Sequence, residues 1–207
     1  MENSNSMLSL IVILFTYAAV MAHYIHDGSS QFSENKDGEI SSFSYSQLII
    51  SFSTLGTFFS SILGLVWGFE FLLMVEVPEF LRVVGSMLCV AGLYLFVLAK
   101  RTLAFEYSPL KKALLPNKLI THGIYSKIRN PIYTANLIML SSSILMTGSL
   151  LIIVFVSVLA IFYHDVVRRE EEALVSKFND DYQSYMDGTG RFLPLLAARG
   201  RKLSRSS

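Results

Sequence analysis

The chain has 207 residues, of which 52% are hydrophobic and only 16% are charged, and its formal net charge is +1. Because an average soluble domain has roughly 25% charged residues, this deficit, together with a mean hydropathy of +0.49, indicates a membrane protein. Because the net charge is close to zero, the composition does not indicate a nucleic-acid partner. The single cysteine, Cys89, excludes a disulfide framework within the chain.

Four charge-poor segments approach or exceed the ~20 residues that a helix needs to cross a bilayer: 7–25, 47–75, 80–99 and 132–163. The first has no basic residues before it, so we expect a retained anchor rather than a cleaved signal peptide. The last contains 32 residues without a charge, which is too long for one span, and 147-TGS-149 near its middle predicts a turn. The expected fold is therefore all-α, an integral membrane protein with about five transmembrane helices that include a C-terminal helical hairpin.

The cations are unevenly distributed along the chain. Of the 17 Lys and Arg residues, seven lie in 100–129 and eight in 168–205. By the positive-inside rule both segments face the cytoplasm, and the predicted hairpin between them returns the chain to that side. We therefore expect a multi-pass protein with a cytosolic C-terminal helical segment. The segment 27–46, on the same side with one Lys, fits less well. The basic tail 196–207 is expected to be flexible and to contact anionic membrane lipid.

Several familiar enzyme sites are missing from the sequence. Gly188-x-Gly190 follows no predicted strand, so a Rossmann cofactor site is not expected. P-loop, HExxH and GxSxG motifs do not occur. His23 and His26 are spaced as possible ligands, but no Cys, Asp or Glu nearby completes a metal site.

The first polar cluster is 121-THGIYSKIRNPIY-133, directly before the hairpin. Pro131 suits the first turn of a helix, and Asn130 before it suits an N-cap. The backbone N–H groups of that turn are a natural place for a carboxylate. Gly123 allows a ligand close approach to the backbone. Aromatic faces and hydroxyls come from Tyr125 and Tyr133. An ordinary connecting loop is the alternative interpretation.

The second polar cluster is 164-HDVVRREEEALVSKFNDDYQSY-185, directly after the hairpin. Because a hairpin brings its two ends together, Asn130-Pro131 is expected near residues 164–172. Three carboxylates, at residues 170–172, directly follow two arginines and are candidates for a ligand site. A solvated helix face is the alternative interpretation of this composition. Apolar and aromatic residues recur as one stripe of an amphipathic helix: Leu174, Phe178, Tyr182 and Tyr185. Asn179 is able to hold a left-handed bend.

These pieces in this order resemble the isoprenylcysteine carboxyl methyltransferase family, which shares its core with the phospholipid N-methyltransferases. The matching pieces are 100-KRTLAFEYS-108, 123-GIYSKIRNPIY-133, 170-EE-171, 178-FNDDYQSY-185 and 191-RFLP-194. The resemblance covers about residues 85 to 195. It implies a division into N-terminal transmembrane helices (1–80), a methyltransferase core (81–195) and the tail (196–207).

The resemblance further implies S-adenosylmethionine as cofactor, held in a cytosolic pocket. Six connector residues would line the pocket: Asn117, Lys118, Leu119, Ile120, Gly123 and Tyr125. Those that would contact the cofactor from the hairpin start are Asn130, Pro131 and Tyr133. Glu170 or Glu171 would hold its hydroxyls or its amino group. Arg191 is expected to matter less.

The sequence departs from the family pattern on the substrate side. With Glu170-Glu171 aligned, the family's substrate-side Arg falls at Val166, so Arg168 or Arg169 is the candidate that replaces it in positioning the acceptor. The methyl acceptor is expected to be small or lipophilic, and no oligomeric state is indicated. Three alternatives stay open: a phospholipid N-methyltransferase, an NADPH-dependent sterol or steroid reductase with a similar hairpin, and a non-catalytic membrane scaffold.

Overall fold

A computed structural model describes residues 42–67, 75–106 and 118–195, together with five helical residues near the N-terminus (11, 13, 14, 17 and 18). The described chain forms helices α1 (Ser42–Trp67), α2 (Glu79–Glu106), α3 (Pro131–Thr147), α4 (Leu151–Phe178) and α5 (Asp180–Gly188), and a 3₁₀ turn at Gly123–Ser126. No strand occurs in these ranges, and an isolated parallel bridge joins Ile128 to Gly190. The expected all-α class is confirmed for the described residues.

Two of the described helical stretches are long and apolar enough to cross a membrane, Glu79–Leu103 and Leu151–Phe178. The predicted span 80–99 lies within the first of them. The predicted span 47–75 lies only partly within the described residues: α1 covers Ser42–Trp67 and includes the apolar stretch Ile50–Leu63, and Val75 itself is not helical. Most of the predicted span 7–25 and all of the tail 196–207 lie outside the described residues.

The predicted hairpin is present, and its turn lies where the sequence places it. Helix α3 ends at Thr147, Gly148 adopts the left-handed conformation with φ 75°, and α4 begins at Leu151. The Gly148 carbonyl also accepts a 2.9 Å hydrogen bond from the Val75 N–H. A side chain at Gly148 would place its Cβ 2.1 Å from the Val75 carbonyl oxygen. Glycine is therefore required at position 148, both because the turn needs a positive φ and because residues 75–78 lie too close to leave room for a Cβ.

The bundle is held together mainly by α2 against α3 and by α1 against α4. Gly85 and Gly92 bring the backbone of α2 close to α3, because a Cβ at either position would lie within 3 Å of an α3 side chain. Small residues at such interfaces let membrane helices pack closely. Away from these contacts α2 carries exposed large apolar side chains, among them Phe80, Met87 and Tyr94. This surface is suited to lipid contact.

Helix α4 has 28 residues, about 42 Å at 1.5 Å per residue, whereas the hydrocarbon core is about 30 Å thick. The helix is therefore about 12 Å longer than the hydrocarbon core is thick, and its polar C-terminal turns would extend beyond the bilayer. The helix ends at Phe178, where Asn179 has φ 48° and ψ −123°, and α5 begins at Asp180. The predicted bend at Asn179 is confirmed. The predicted single amphipathic stripe is wrong, because this bend divides its residues between two helices.

Candidate functional site

The base of the hairpin is the place where both polar clusters meet. Pro131 occupies the first turn of α3 and is buried, and Asn130 is the N-cap residue. The Asn130 side chain does not cap the helix, however. Its amide instead donates a 3.0 Å hydrogen bond to Glu171 Oε1, 41 residues later on α4. The expected N-cap residue therefore joins the two ends of the hairpin.

Glu171 lies at the centre of a buried ionic cluster. It is 4% exposed, and its Oε1 also accepts a 3.0 Å hydrogen bond from Arg129 Nε. Arg191 Nη2 lies 2.6 Å from Glu171 Oε2, a charge contact whose angles do not make a hydrogen bond. Two cations and one amide therefore surround this carboxylate. Such compensation is what allows a charge to be buried.

Residues 189–193, which we call the C-terminal strap, run alongside the hairpin base. The Gly190 carbonyl accepts a 2.8 Å hydrogen bond from the Arg129 N–H, and the Arg191 carbonyl accepts one of 3.1 Å from the Asn130 N–H. The Arg129 guanidinium also donates to the carbonyls of Met186 and Thr189. Gly190 has no room for a side chain, since a Cβ would meet the Leu193 carbonyl. The strap is thus held by backbone hydrogen bonds and by hydrogen bonds from the charged Arg129 side chain.

Glu170 has different surroundings from its neighbour. It is half-buried, and its Oε1 accepts a 2.8 Å hydrogen bond from the Tyr133 hydroxyl. The Tyr133 ring in turn packs edge-on against Tyr163, with ring centroids 4.9 Å apart. Tyr163 is fully buried and accepts a hydrogen bond from the Asn136 amide. The phenol that reaches Glu170 is therefore held by the packed interior of the hairpin.

The 3₁₀ turn that contains Gly123 and Tyr125 lies against the end of α2 and against α5. Gly123 has φ 59°, and a Cβ there would lie 3.2 Å from Thr102 Oγ1. The Tyr185 hydroxyl donates a 2.5 Å hydrogen bond to the Tyr125 carbonyl. Burial raises the pKa of Tyr185 to about 12, so this hydroxyl stays protonated and able to donate. The Tyr125 side chain is half-buried.

The remaining connector residues approach the same region. Ile120 is 6% exposed and helps to bury this end of the molecule, Leu119 is half-buried and Lys118 is exposed. Asn117 lies outside the described residues. Their predicted contact with a cofactor stays a prediction.

Arg168 and Arg169 lie on the outer face of α4. Arg169 makes a 2.9 Å ion pair with Asp165, and Arg168 contacts Asp165 at 3.4 Å and Glu172 at 3.9 Å. Their side chains are 56% and 43% exposed. The structure therefore brings Asn130, Tyr133, Glu170 and Glu171 into direct contact, whereas these two arginines form a separate surface group.

Two residues of the buried cluster were not assigned a site role from the sequence. Arg129 lies in the motif 123-GIYSKIRNPIY-133, and its place directly before Asn130-Pro131 is the signal that could have identified it. Arg191 was expected to matter less, but its guanidinium lies against the buried Glu171 and also 3.3 Å from His164 Nε2. Its sequence position, 20 residues beyond Glu171, carries no indication of this contact.

The fold and site define a class: an α-helical membrane protein whose hairpin base gathers tyrosines, an asparagine and a carboxylate pair at one end of the bundle. The phospholipid methyltransferase family matches residues 80–181. The protein-S-isoprenylcysteine O-methyltransferase of Saccharomyces cerevisiae is 27% identical over 117 residues, which cover 55% of this chain and 49% of the yeast protein.

Both comparisons agree with the resemblance stated from the motifs. The chain is therefore similar to a group of methyltransferases that contains the isoprenylcysteine carboxyl methyltransferases and the phospholipid methyltransferases. It spans about half the length of the curated relative that it matches. The matched residues 80–181 include α2, α3, α4 and the carboxylate pair.

Proposed function

We propose that this chain is a membrane-embedded, S-adenosylmethionine-dependent methyltransferase that acts on a small or lipophilic acceptor. The observation that carries the proposal is the hydrogen bond from the Tyr133 hydroxyl to Glu170. It joins two motif pieces, 37 residues apart, at the base of a helical hairpin. The match of residues 80–181 to phospholipid methyltransferases supports methyl transfer over the reductase and scaffold alternatives.

The residues at the hairpin base fit the chemistry of this cofactor. S-adenosylmethionine has an ammonium group, a carboxylate, ribose hydroxyls and an adenine ring. Glu170 is an acceptor for an ammonium group or for hydroxyls, and the N-terminal turn of α3 favours a carboxylate. Tyr125 supplies an aromatic face for the ring. The connector residues 118–120, together with Gly123, would enclose the cofactor from the side of α2, and Pro131 would contact it from α3.

The protein itself has to contribute little to the methyl-transfer step. The cofactor supplies a methyl group that is already activated by the sulfonium charge. The residues around the hairpin base therefore have to align the acceptor, exclude water and keep the hydrogen-bonding groups fixed. The buried side chains of Ile120 and Ile128 and the packed Tyr133–Tyr163 pair serve that purpose.

The acceptor determines whether a base is needed as well. A carboxylate is ionised at neutral pH and needs only a cation to position it, which is the role proposed for Arg168 or Arg169 on α4. An amine or a thiol would also have to lose a proton to a base. Since α4 extends from the apolar bundle past these arginines, a lipophilic acceptor would reach them from the bilayer. We further propose a multi-pass topology with the hairpin base and the C-terminus in the cytoplasm.

The experiment that tests the proposal is thermal unfolding of the full chain in detergent with either S-adenosylmethionine or NADPH. At 100 times its dissociation constant, a bound cofactor adds about 2.7 kcal/mol of stability. We expect protection by S-adenosylmethionine only. Protection by NADPH alone would support the reductase, and protection by neither would reject both cofactor assignments. Transfer of labelled methyl groups to prenylcysteine, amine lipids or thiols would then identify the acceptor.

A further inference from the structure

The two adjacent carboxylates of the hairpin base differ in exposure and in partners. Glu171 is 4% exposed and is surrounded by Arg129, Asn130 and Arg191. Glu170 is half-buried and accepts a hydrogen bond from Tyr133. Neighbouring residues on a helix point about 100° apart, so the two side chains face different surroundings.

From this difference we infer that the two carboxylates have separate roles, an inference that rests on the proposed function. Glu170, with Tyr133, is the carboxylate that contacts the cofactor. Glu171 is a positioning residue, which fastens the C-terminal strap (residues 189–193) to the hairpin base and holds the Asn130 side chain in place.

The contacts of Glu171 account for this role. A carboxylate has about four acceptor positions, and three donor groups already approach this one. Each of them belongs to an element that must stay in register: Arg129 also holds the carbonyls of Met186 and Thr189, and Arg191 belongs to the strap itself. A cofactor hydroxyl or ammonium would have to pass these partners to reach the carboxylate, because Glu171 is only 4% exposed.

The backbone shows what the cluster holds in place. The N–H groups of Arg129 and Asn130 donate to the carbonyls of Gly190 and Arg191, and the Thr134 hydroxyl donates to the Phe192 carbonyl at 2.8 Å. All three bonds link the strap to the residues that begin α3. Loss of the Glu171 charge would leave two cations close together beneath the strap, which would weaken these bonds.

The test compares three glutamines in the full chain, Glu170→Gln, Glu171→Gln and Glu172→Gln. Glu172 is a matched control on the same helix, since its side chain is 65% exposed and forms a long, 3.9 Å ion pair with Arg168. For each variant, titration calorimetry gives the Kd for S-adenosylmethionine at a temperature where the protein is folded. Hydrogen exchange gives the protection of the Arg129 and Asn130 amides without cofactor.

We expect Glu170→Gln to raise the Kd at least ~10-fold, the loss typical of one hydrogen bond to a charged group, with amide exchange as in the wild type. Glu171→Gln is expected to speed exchange of both amides at least ~10-fold and to raise the Kd less. Glu172→Gln should change neither quantity. The inference is overturned if Glu171→Gln raises the Kd as much as Glu170→Gln does while amide exchange stays unchanged.

A second comparison separates positioning from a purely structural role, and its first readout, the Kd of Arg191→Gln alone, remains usable if Glu171→Gln fails to fold. Arg191→Gln removes one partner of Glu171 from a position that is 34% exposed. If Glu171 acts through the strap, Arg191→Gln raises the Kd of the folded protein, and its effect is not additive with that of Glu171→Gln. An unchanged Kd in folded Arg191→Gln, or full additivity, would overturn the inference.

Failure of the proposed function gives a different pattern. If the wild-type chain binds no S-adenosylmethionine, the methyltransferase proposal and the ligand-contacting role of Glu170 both fail. The exchange rates of the Arg129 and Asn130 amides in Glu171→Gln and Arg191→Gln still decide whether Glu171 fastens the strap.

Discussion

The Tyr133 hydroxyl donates a 2.8 Å hydrogen bond to Glu170, which joins the first turn of α3 to the polar half of α4. The two residues are 37 positions apart, and the charge-free hairpin lies between them. The bond exists because the hairpin returns the chain to its starting end, and because Tyr163 packs against the Tyr133 ring. It is the structural basis for placing a ligand at this end of the molecule.

Tyr133→Phe removes the hydroxyl and keeps the ring packing. We expect the Kd for S-adenosylmethionine to rise about tenfold, since Glu170 loses the donor that orients it and a hydrogen bond to a charged group contributes about 1.5–3 kcal/mol. Titration calorimetry in detergent measures this. Tyr94→Phe, at a position 68% exposed on α2, is the control and should bind as the wild type does. An unchanged Kd in Tyr133→Phe would argue against a ligand contact at Glu170.

Replacing either arginine of the surface group tests the predicted acceptor contact. Exposed ion pairs such as Arg169–Asp165 contribute little to stability, about 0–1 kcal/mol. We therefore expect Arg168→Gln and Arg169→Gln to unfold near the wild-type temperature and to keep the cofactor Kd. If either cation positions an acceptor carboxylate, that variant will show a raised KM for the acceptor. Wild-type kinetics in both variants would remove these residues from the site.

Asn179 holds a backbone conformation that glycine adopts more easily, with φ 48° and ψ −123°. Such a conformation costs a non-glycine residue about 1–3 kcal/mol. We expect Asn179→Gly to raise the thermal unfolding midpoint, although the greater freedom of glycine in the unfolded chain offsets part of the gain. Asn179→Ala should lower the midpoint, because Ala tolerates positive φ less well than Asn. The opposite order of the two variants would contradict the strained bend.

Gly190 and Gly188 form a matched pair for a stability test. A Cβ at Gly190 would lie 1.7 Å from the Leu193 carbonyl oxygen, whereas a Cβ at Gly188 would have nothing within 4 Å. We expect Gly190→Ala to destabilise the protein by more than about 2 kcal/mol, since backbone atoms have to move. Gly188→Ala should be neutral within about 0.5 kcal/mol. Chemical denaturation of both variants measures the difference, and equal stabilities would refute the strap geometry.

The two tyrosines of α5 predict a loss of stability at high pH. Burial raises the pKa of Tyr185 from 10.0 to about 12, and burial also raises the pKa of Tyr182. Because the folded state holds these protons more tightly than the unfolded state, their stabilisation is complete below pH 10 and is lost as the pH rises through 12. Tyr185→Phe should make the unfolding midpoint fall less between pH 10 and pH 12. A slope equal to that of the wild type would contradict the buried hydroxyl.

Much of the architecture was predictable from particular residues. The 32-residue charge-free stretch with Gly148 near its middle predicted the hairpin, because a bilayer-spanning helix needs only ~20 residues. Pro131 predicted where α3 begins, and Asn179 predicted the bend after α4. Val75, the predicted end of the second span, is not helical, because hydropathy does not mark where a helix ends.

The sequence by itself determined the membrane class, the hairpin and the family resemblance, because hydrophobic length, turn residues and motif order are all properties of local sequence. Only the tertiary structure decided which of two identical neighbours, Glu170 and Glu171, is buried, and that Arg129 and Arg191 both approach the buried one. The physical reason is that a helix turns each successive side chain by about 100°. The packing of α4 against its neighbours sets which of them faces inward.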